Sequence, residues 1–497
     1  MLRPGLSWFL CLITLLALQL PAVNAEGGDN LEKGTFASLD QVTKDKHRQL
    51  TAYLDRMCAL AATVREDPVM RRYFSIKQRY WQLQQEQPAP PEALSAIESL
   101  KETLLNHYLN NYLAFYDILF VDSSGYVLSA IRHQADYHKH LFEGERAKTA
   151  LARHLMEEPS ASFVDYEFYN VSDEPSAFFV EPVIEDGQQL GWFVLQCAIN
   201  RINTIFTRGE ELGQTGEIFL VNRKHQMLTE SRLDLGAGTL NRYLSEENIE
   251  GKFAEKQGHK RVIDYRDRVA LTSFAVCPVM GSEWLLVSKI DEDEVITRHY
   301  LENLSRLQPS LTQSLGKIPQ PDCPPCKLPT KANIVDMDEF RRSNDTPLIT
   351  FGVSTCTAIV VSLKQEKAYL AHASVQDRIY GAGDLDLLDY MLRRIRRFEI
   401  YPYQLRSLEV VLVAPHLESV TGAVEKLVEA GILLSQIRFL HCPEAESATV
   451  FHTTTSGQTV VQWIMGGEQK PRWQRAADTP SLGESVKEII GFNKTKT

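Results

Sequence analysis

Over residues 36–66 the apolar positions Leu50, Leu54, Met57, Ala61 and Val64 recur at 4-3-4-3 spacing, one face of a helix. Asp67-Pro68 interrupts the pattern, because a residue before proline is pushed out of helical geometry. A second helical stretch carries Tyr73, Ile76, Tyr80 and Leu83, and Pro88-Ala89-Pro90-Pro91 breaks it. A third runs from Pro91 to about Tyr112. The pattern then turns to β. Residues 116–130 read as a hairpin with its turn at 122–125, followed by a helical stretch near 143–156. Strands are predicted at 165–169, 177–184 and 189–196. Past 199–206 the pattern restarts, with 216–222, its partner 226–232, and then 261–265, 269–276 and 284–290. Two α/β modules in tandem behind one long helix are expected.

A third block follows. Residues 348–353 read as a buried strand that stops at Ser354-Thr355 and presents Cys356. A β-branched run, 357–363, turns at 364–366 and returns along 368–371 to His372. Such a hairpin brings Cys356 and His372 to the same end of a sheet, where a thiol beside an imidazole can act as a nucleophile. Thr350, Gly352 and Ser354 alternate onto one face, so Thr350 is expected on the neighbouring strand, facing the imidazole. Further on, a helix carries Leu388, Leu392 and Ile395 with four arginines crowding its last turns, a favourable charge at the negative end of the helix dipole. Strands at 408–414, 437–440, 448–453 and 458–464 and a helix at 418–430 complete a layered α/β domain. The expected class is α/β (α+β).

The chain has 497 residues, enough for two or three domains. Its formal charge of −11 argues against a nucleic-acid partner. Residues 1–25 have the build of a signal peptide: Arg3, an apolar stretch from Phe9 to Leu20, and Val23-Asn24-Ala25 as a small-residue cleavage site. An uncleaved anchor is the alternative. No later stretch approaches the roughly eighteen apolar residues of a span. The mature chain is expected to be exported, periplasmic or secreted from a bacterium, and not an integral membrane protein. Residues 301–345 read as a Pro-rich linker holding Cys323-Pro-Pro-Cys326. The prolines argue for a local structural disulfide rather than a redox site, and no second ligand pair at suitable spacing suggests zinc. No metal and no cofactor is expected. Residues 467–497 read as a polar tail.

Residues 116–130, 165–169 ahead of Pro175, 178–182 and 213–222 together resemble the double Cache sensor domain of bacterial receptors, over about 26–300. The resemblance implies two PAS-like modules, distal at about 115–205 and proximal at about 206–296, with a small-molecule ligand in the distal one. Asp165, Tyr166, Tyr169 and Phe178 are the pocket candidates, the carboxylate favouring an amine; alternatively these aromatics only fill the module's core. Such receptors usually continue into a membrane span. Here the charged stretch 291–307 is expected to be a solvated helix instead.

Thr350, Gly352, Thr355-Cys356 and His372 resemble the motif of the CheD chemoreceptor glutamine deamidases, over about 346–466. The Cys-to-His step is one residue short of that pattern, and the family's downstream glycine-rich stretches are replaced by Val413-Ala414-Pro415-His416 and Leu440-His441-Cys442-Pro443. The resemblance implies Cys356 as nucleophile, His372 as base and Thr350 as its orienting group, acting on a protein glutamine. A CheD-type action on cytoplasmic receptor tails is incompatible with export. Two functions follow as expectations: an exported deamidase or related amidohydrolase, or a non-catalytic sensor whose last domain docks a protein partner. Cys442 could reach Cys356 and form a disulfide that silences or gates it.

Overall fold

The computed structural model describes residues 25–86, 91–132, 135–157, 160–206, 212–234, 236, 238–317, 323–343, 345–363, 367–374, 387–400, 402–453, 456–465 and 467–492. The residues of the expected signal peptide lie outside that set, apart from Ala25. Contacts divide the chain into two compact units, Phe36–Ile290 and a second made of Met1–Thr35 with Asp291–Thr497. The fold class is the expected one: a long N-terminal helix, two tandem sheet modules, and a layered α/β unit.

Helix α1 spans Ala25–Glu66. Leu50, Leu54, Met57, Ala61 and Val64 are all buried, so the apolar stripe is the packed face. Asp67 is more than a break. Its Oδ1 accepts from the backbone N–H groups of Val69 at 2.8 Å and Met70 at 3.3 Å, which caps α2, Pro68–Glu86, with proline at the first helical position. Its other oxygen accepts from Tyr112 at 2.7 Å and contacts His107 at 2.6 Å, tying that cap to the end of α3, Pro91–Asn111.

The first module is a five-stranded antiparallel sheet in the order β2-β1-β5-β4-β3. Its strands are β1 Asp117–Asp122, β2 Val127–Ala130, β3 Ser162–Tyr169, β4 Glu174–Glu185 and β5 Gln188–Ala198. One face, with Leu119, Val121, Phe178, Val180 and Val194, closes over α4, Ala150–Glu157. Helix α5, Asn200–Phe206, leads into the second module. There β6 Glu217–Val221, β7 Gln257–Ile263, β8 Val269–Val279 and β9 Ser282–Asp291 form a sheet ordered β6-β9-β8-β7, with α6, Glu246–Glu255, beside it. The expected strand at 226–232 does not form. Backbone bridges from Met227 to Val221 and from Gln226 to Tyr243 replace it.

The C-terminal unit is a pair of facing five-stranded sheets flanked by helices. One sheet orders β10 Asn333–Ile334, β12 Leu348–Val353, β17 Ala445–Thr453, β18 Gln458–Met465 and β19 Arg472–Arg475. The other runs β11 Glu339–Ser343, β14 Lys367–Ala373, β13 Thr357–Leu363, β15 Leu408–Ala414 and β16 Ile437–His441. Leu348, Val450 and Trp463 from the first sheet share one core with Val360, Leu370 and Val413 from the second.

Three stretches depart from expectation. The charged helix is α7, Glu292–Glu302, and it is not solvated: Val295, Ile296 and Tyr300 are buried, and the buried Glu292 is neutralised by Lys487 at 2.7 Å. The linker supplies α8, Leu304–Leu315, as well as β10 and β11. The tail is structured from Gly467 on, through β19 and α11, Leu482–Ile490. Leu482, Val486 and Ile490 lie four apart and bury one face of α11, which a polar average over the segment conceals. Between them lie α9, Leu387–Phe398, with Met391, Leu392 and Ile395 buried, and α10, Glu418–Glu429. No described helix is long and apolar enough to cross a membrane.

Candidate functional site

In the first module, register puts polar side chains at one end of the core face. Asp117 of β1 stands opposite Gln196 of β5, and Gln196 stands opposite Phe178 of β4. The three share the face of Leu119, Val180 and Val194, because side chains alternate along a strand. Tyr169, at the end of β3, stacks edge-on against Phe178 with ring centres 5.0 Å apart. Its hydroxyl donates to Asp136 Oδ2 at 3.0 Å.

Asp117 and Asp136 are both 0% exposed. Asp117 Oδ1 accepts from the backbone N–H of Ile118 at 2.7 Å and of Arg132 at 3.0 Å. Its Oδ2 has no hydrogen-bond partner among the described residues, and neither do Asp136 Oδ1, Gln196 Oε1 and Arg146 Nε. Burial pushes the Asp117 carboxyl up to about 6, two backbone N–H groups pull it back, and the charge of Asp136 adds to the rise. Burial also raises Asp136, against the Tyr169 hydrogen bond and Arg146. Buried polar atoms are nearly always paired, so these four orphans depart from the usual pattern and make this cluster the candidate site of the module.

Of the four predicted pocket residues, Tyr169 and Phe178 are part of this cluster. Asp165 and Tyr166 are not. Asp165 Oδ1 accepts from Trp284 Nε1 at 2.9 Å, and Tyr166 is buried with its ring centre 5.8 Å from that of Trp284. A bulge between Val164 and Glu167 shifts the register of β3, so alternation counted from Tyr169 assigns the wrong face to its first half. Sequence reading missed Asp117, Asp136 and Gln196. Asp117 and Gln196 interrupt otherwise apolar strands, and that was the available signal.

In the C-terminal unit, Ala358 of β13 stands opposite His372 of β14, and Cys356 lies two residues before Ala358. Cys356, in the bend just before β13, and His372, one residue from the end of β14, therefore lie at the same end of one sheet. Thr350 faces His372 from the other sheet, on β12, rather than from a neighbouring strand. Its Oγ1 lies 2.7 Å from His372 Nδ1 and donates to the Val335 carbonyl at 2.8 Å. A hydroxyl has one proton, and the carbonyl can only accept it. Thr350 Oγ1 therefore accepts from Nδ1–H, which leaves His372 Nε2 as the lone-pair nitrogen. Burial lowers the His372 pKa, against the charges of Asp338 and Asp336, so the ring is held neutral.

Nε2 is buried with no hydrogen-bond partner, so the Cys356 thiol does not bond to it. The thiol instead points to Met337 Sδ at 3.9 Å. Met337 belongs to the segment read as linker, which crosses the site: the Asp338 N–H donates to the His372 carbonyl at 2.6 Å, and Glu339 pairs with His372. Gly352 sits at φ +75°, where the ladder between β12 and β17 shifts, a conformation glycine takes without strain. Cys356 and Cys442 are both free thiols, and burial pushes Cys442 up to about 12. Cys323 and Cys326 are free as well and share one apolar cluster with Trp473 and Phe451. No group of three or more metal-ligating side chains occurs among the described residues.

No protein-family model matches the chain. No curated protein matches it. Among solved structures, it is similar to an extracellular ligand binding receptor from Desulfohalobium retbaense, at 15% identity and TM-score 0.36, covering 51% of this chain and 40% of that one. It is similar to the ligand-binding domain of the Pseudomonas fluorescens chemoreceptor CtaA in complex with L-isoleucine, at 10% identity and TM-score 0.37, covering 54% of this chain and 98% of that one. The periplasmic sensory domain of the Campylobacter jejuni chemoreceptor Tlp1 matches at 14% identity and TM-score 0.38, covering 54% and 98%.

Proposed function

We propose that the chain is an exported small-molecule sensor of the double Cache kind, whose first module binds an amine-bearing ligand. One observation carries the reading: Asp117 and Asp136 are fully buried, and each has a carboxyl oxygen that no described donor reaches. Two such carboxyls cost free energy unless they are protonated or given a cation. A primary ammonium brings one charge and three N–H donors, enough for both spare carboxyl oxygens and Gln196 Oε1. Arg146 Nε is left for an acceptor on the same ligand. Tyr169 and Phe178 supply aromatic walls. The C-terminal unit is then a docking module for a protein partner. A thermal-shift screen of small amines and amino acids should stabilise the wild-type chain, and Asp136→Asn should abolish the shift of every hit. Hits that survive that change put the site elsewhere.

A second reading of the C-terminal unit is amide hydrolysis, and the Thr350–His372 hydrogen bond favours it. A base needs its free lone pair held in place, and that bond leaves Nε2 unprotonated at the end of the sheet where Cys356 stands. Nε2 takes the thiol proton and the thiolate sulfur attacks the carbon of a glutamine carboxamide. Ammonia leaves with the proton returned from Nε2, and water cleaves the thioester to the acid and the free thiol. Met337 must move aside for a substrate to enter. Ammonia release from glutamine peptides by the wild type, absent in Cys356→Ser, tests it. No release from any peptide or from periplasmic extract leaves the docking reading.

A further inference from the structure

The second module has a cavity of its own. It measures about 280 Å³, lies between α6 and the sheet, and is walled by Phe219, Leu244, Ile249, Tyr265 and Val287 with Lys252 among them. Two further cations line it, and both are neutralised. Lys289 Nζ sits 2.5 Å from Asp264 and 3.3 Å from Glu217, and Arg242 is 2.5 Å from Asp234. Asp264 is shared with Arg266 at 2.6 Å, and Asp267 stands at the exposed rim.

Lys252 differs. It is 4% exposed, and its Nζ donates only to the Asn248 carbonyl one turn back, at 2.7 Å, with the Phe274 ring centre 5.9 Å away. No carboxylate lies within ion-pair distance of it among the described residues; Glu255, on the same helix, is paired with Lys260. Burial, and then the charge of Lys260, lower its pKa to about 8, against the charge of Glu255. A buried ammonium without a counter-ion is costly, and an anion in the cavity would remove that cost.

We propose that this second-module cavity binds a small monocarboxylate with an apolar body, with Lys252 as its counter-ion. One unneutralised ammonium matches one carboxylate charge, whereas a phosphate dianion needs several charged donors. The aliphatic and aromatic walls suit a hydrocarbon body. The volume falls just below the roughly 300–1,000 Å³ of pockets for drug-sized ligands, so the acid is small.

The probes are 4-methylpentanoate and benzoate, their primary amides, and inorganic phosphate, each titrated into the full chain. The carboxylates should raise Tm and bind, the amides and phosphate should not, and Lys252→Met should weaken binding at least tenfold. Should Lys252→Met fail to fold, the wild type answers alone: a bound carboxylate should shield Lys252 from reductive methylation, mapped by mass spectrometry. Asp136→Asn should leave carboxylate binding intact, so this site and the first-module site fail separately. No shift by either carboxylate, an equal shift by the amides, stabilisation by phosphate alone, or unchanged Lys252 labelling would each overturn the proposal.

Discussion

The two modules of the Phe36–Ile290 unit share a plan and differ in the sign of the charge left over. Each is an antiparallel sheet with a helix against it. In the first, the carboxyls of Asp117 and Asp136 each keep a buried oxygen with no hydrogen-bond partner among the described residues, although the charges of Arg132 and Arg146 act on them. In the second, among the described residues that line the cavity, the base without an ion pair is Lys252, because Lys289 and Arg242 are already held by carboxylates. Both modules bury aromatic and aliphatic side chains, so hydrophobic pattern alone cannot tell them apart. What distinguishes them is which buried polar group the fold leaves without a partner, and that is a property of neighbours distant in sequence.

Crossed substitutions should break this comparison if it is wrong. Asp136→Asn should cost at least about 100-fold in amine affinity, the scale of one lost partner in a buried pair, and leave carboxylate binding unchanged. Lys252→Met should do the reverse. Titration calorimetry with both ligand classes on both variants checks it, and a variant that loses both ligands has lost its fold rather than one site.

Without ligand, each buried charge should destabilise its module, in opposite pH windows. Asp117 has a folded pKa raised from 3.8 to about 6, so stability is lost as pH rises through that interval. Asp117→Asn should therefore stabilise the empty chain by on the order of 2 kcal/mol above pH 6 and by little below pH 4. Lys252 has a folded pKa lowered from 10.5 to about 8, so its penalty is full below pH 8 and fades as pH rises toward 10.5. Lys252→Met should stabilise by a similar amount at pH 7, and the gain should vanish at high pH. Urea melts across pH measure both.

The C-terminal unit gives smaller effects. If His372 Nε2 serves as base, His372→Ala should slow iodoacetamide alkylation of Cys356 near pH 7.5 by about tenfold or more, within the usual range for general-base assistance. An unchanged rate would leave only the docking reading. Gly352→Ala should cost about 1 kcal/mol, because alanine at φ +75° is strained while no atom stands in the way of its Cβ. A larger cost would mean that the turn does more than change direction.

Much of the fold was legible because its cues are local. The α1 stripe from Leu50 to Val64, the hairpin turn at 122–125, and the strands on either side of Cys356 all follow from period and turn chemistry. The placing of Cys356 and His372 at one end of a sheet was legible for the same reason, since the turn expected at 364–366 sets the length of the hairpin. Sheet membership was not. Thr350 reaches His372 across the gap between two sheets, and the carbonyl that fixes the proton between them comes from Val335, in a stretch read as linker. The first-module site was half legible. Tyr169 and Phe178 sit on strands whose pattern is visible, but the bulge in β3 sends Asp165 elsewhere. Asp136 lies in a loop whose approach to Tyr169 no periodicity announces.

The central claim is that the first module holds an ammonium between Asp117 and Asp136. Its most direct test is calorimetric titration of the best-stabilising amine at pH 6, in two buffers of different ionisation enthalpy. The empty site should be partly protonated at that pH, because Asp117 titrates at about 6 and Asp136 is also raised. Binding should therefore release protons, make the apparent enthalpy depend on the buffer, and tighten as pH rises to 7.5. Amine binding with no proton release, with affinity unchanged in both Asp117→Asn and Asp136→Asn, would contradict it.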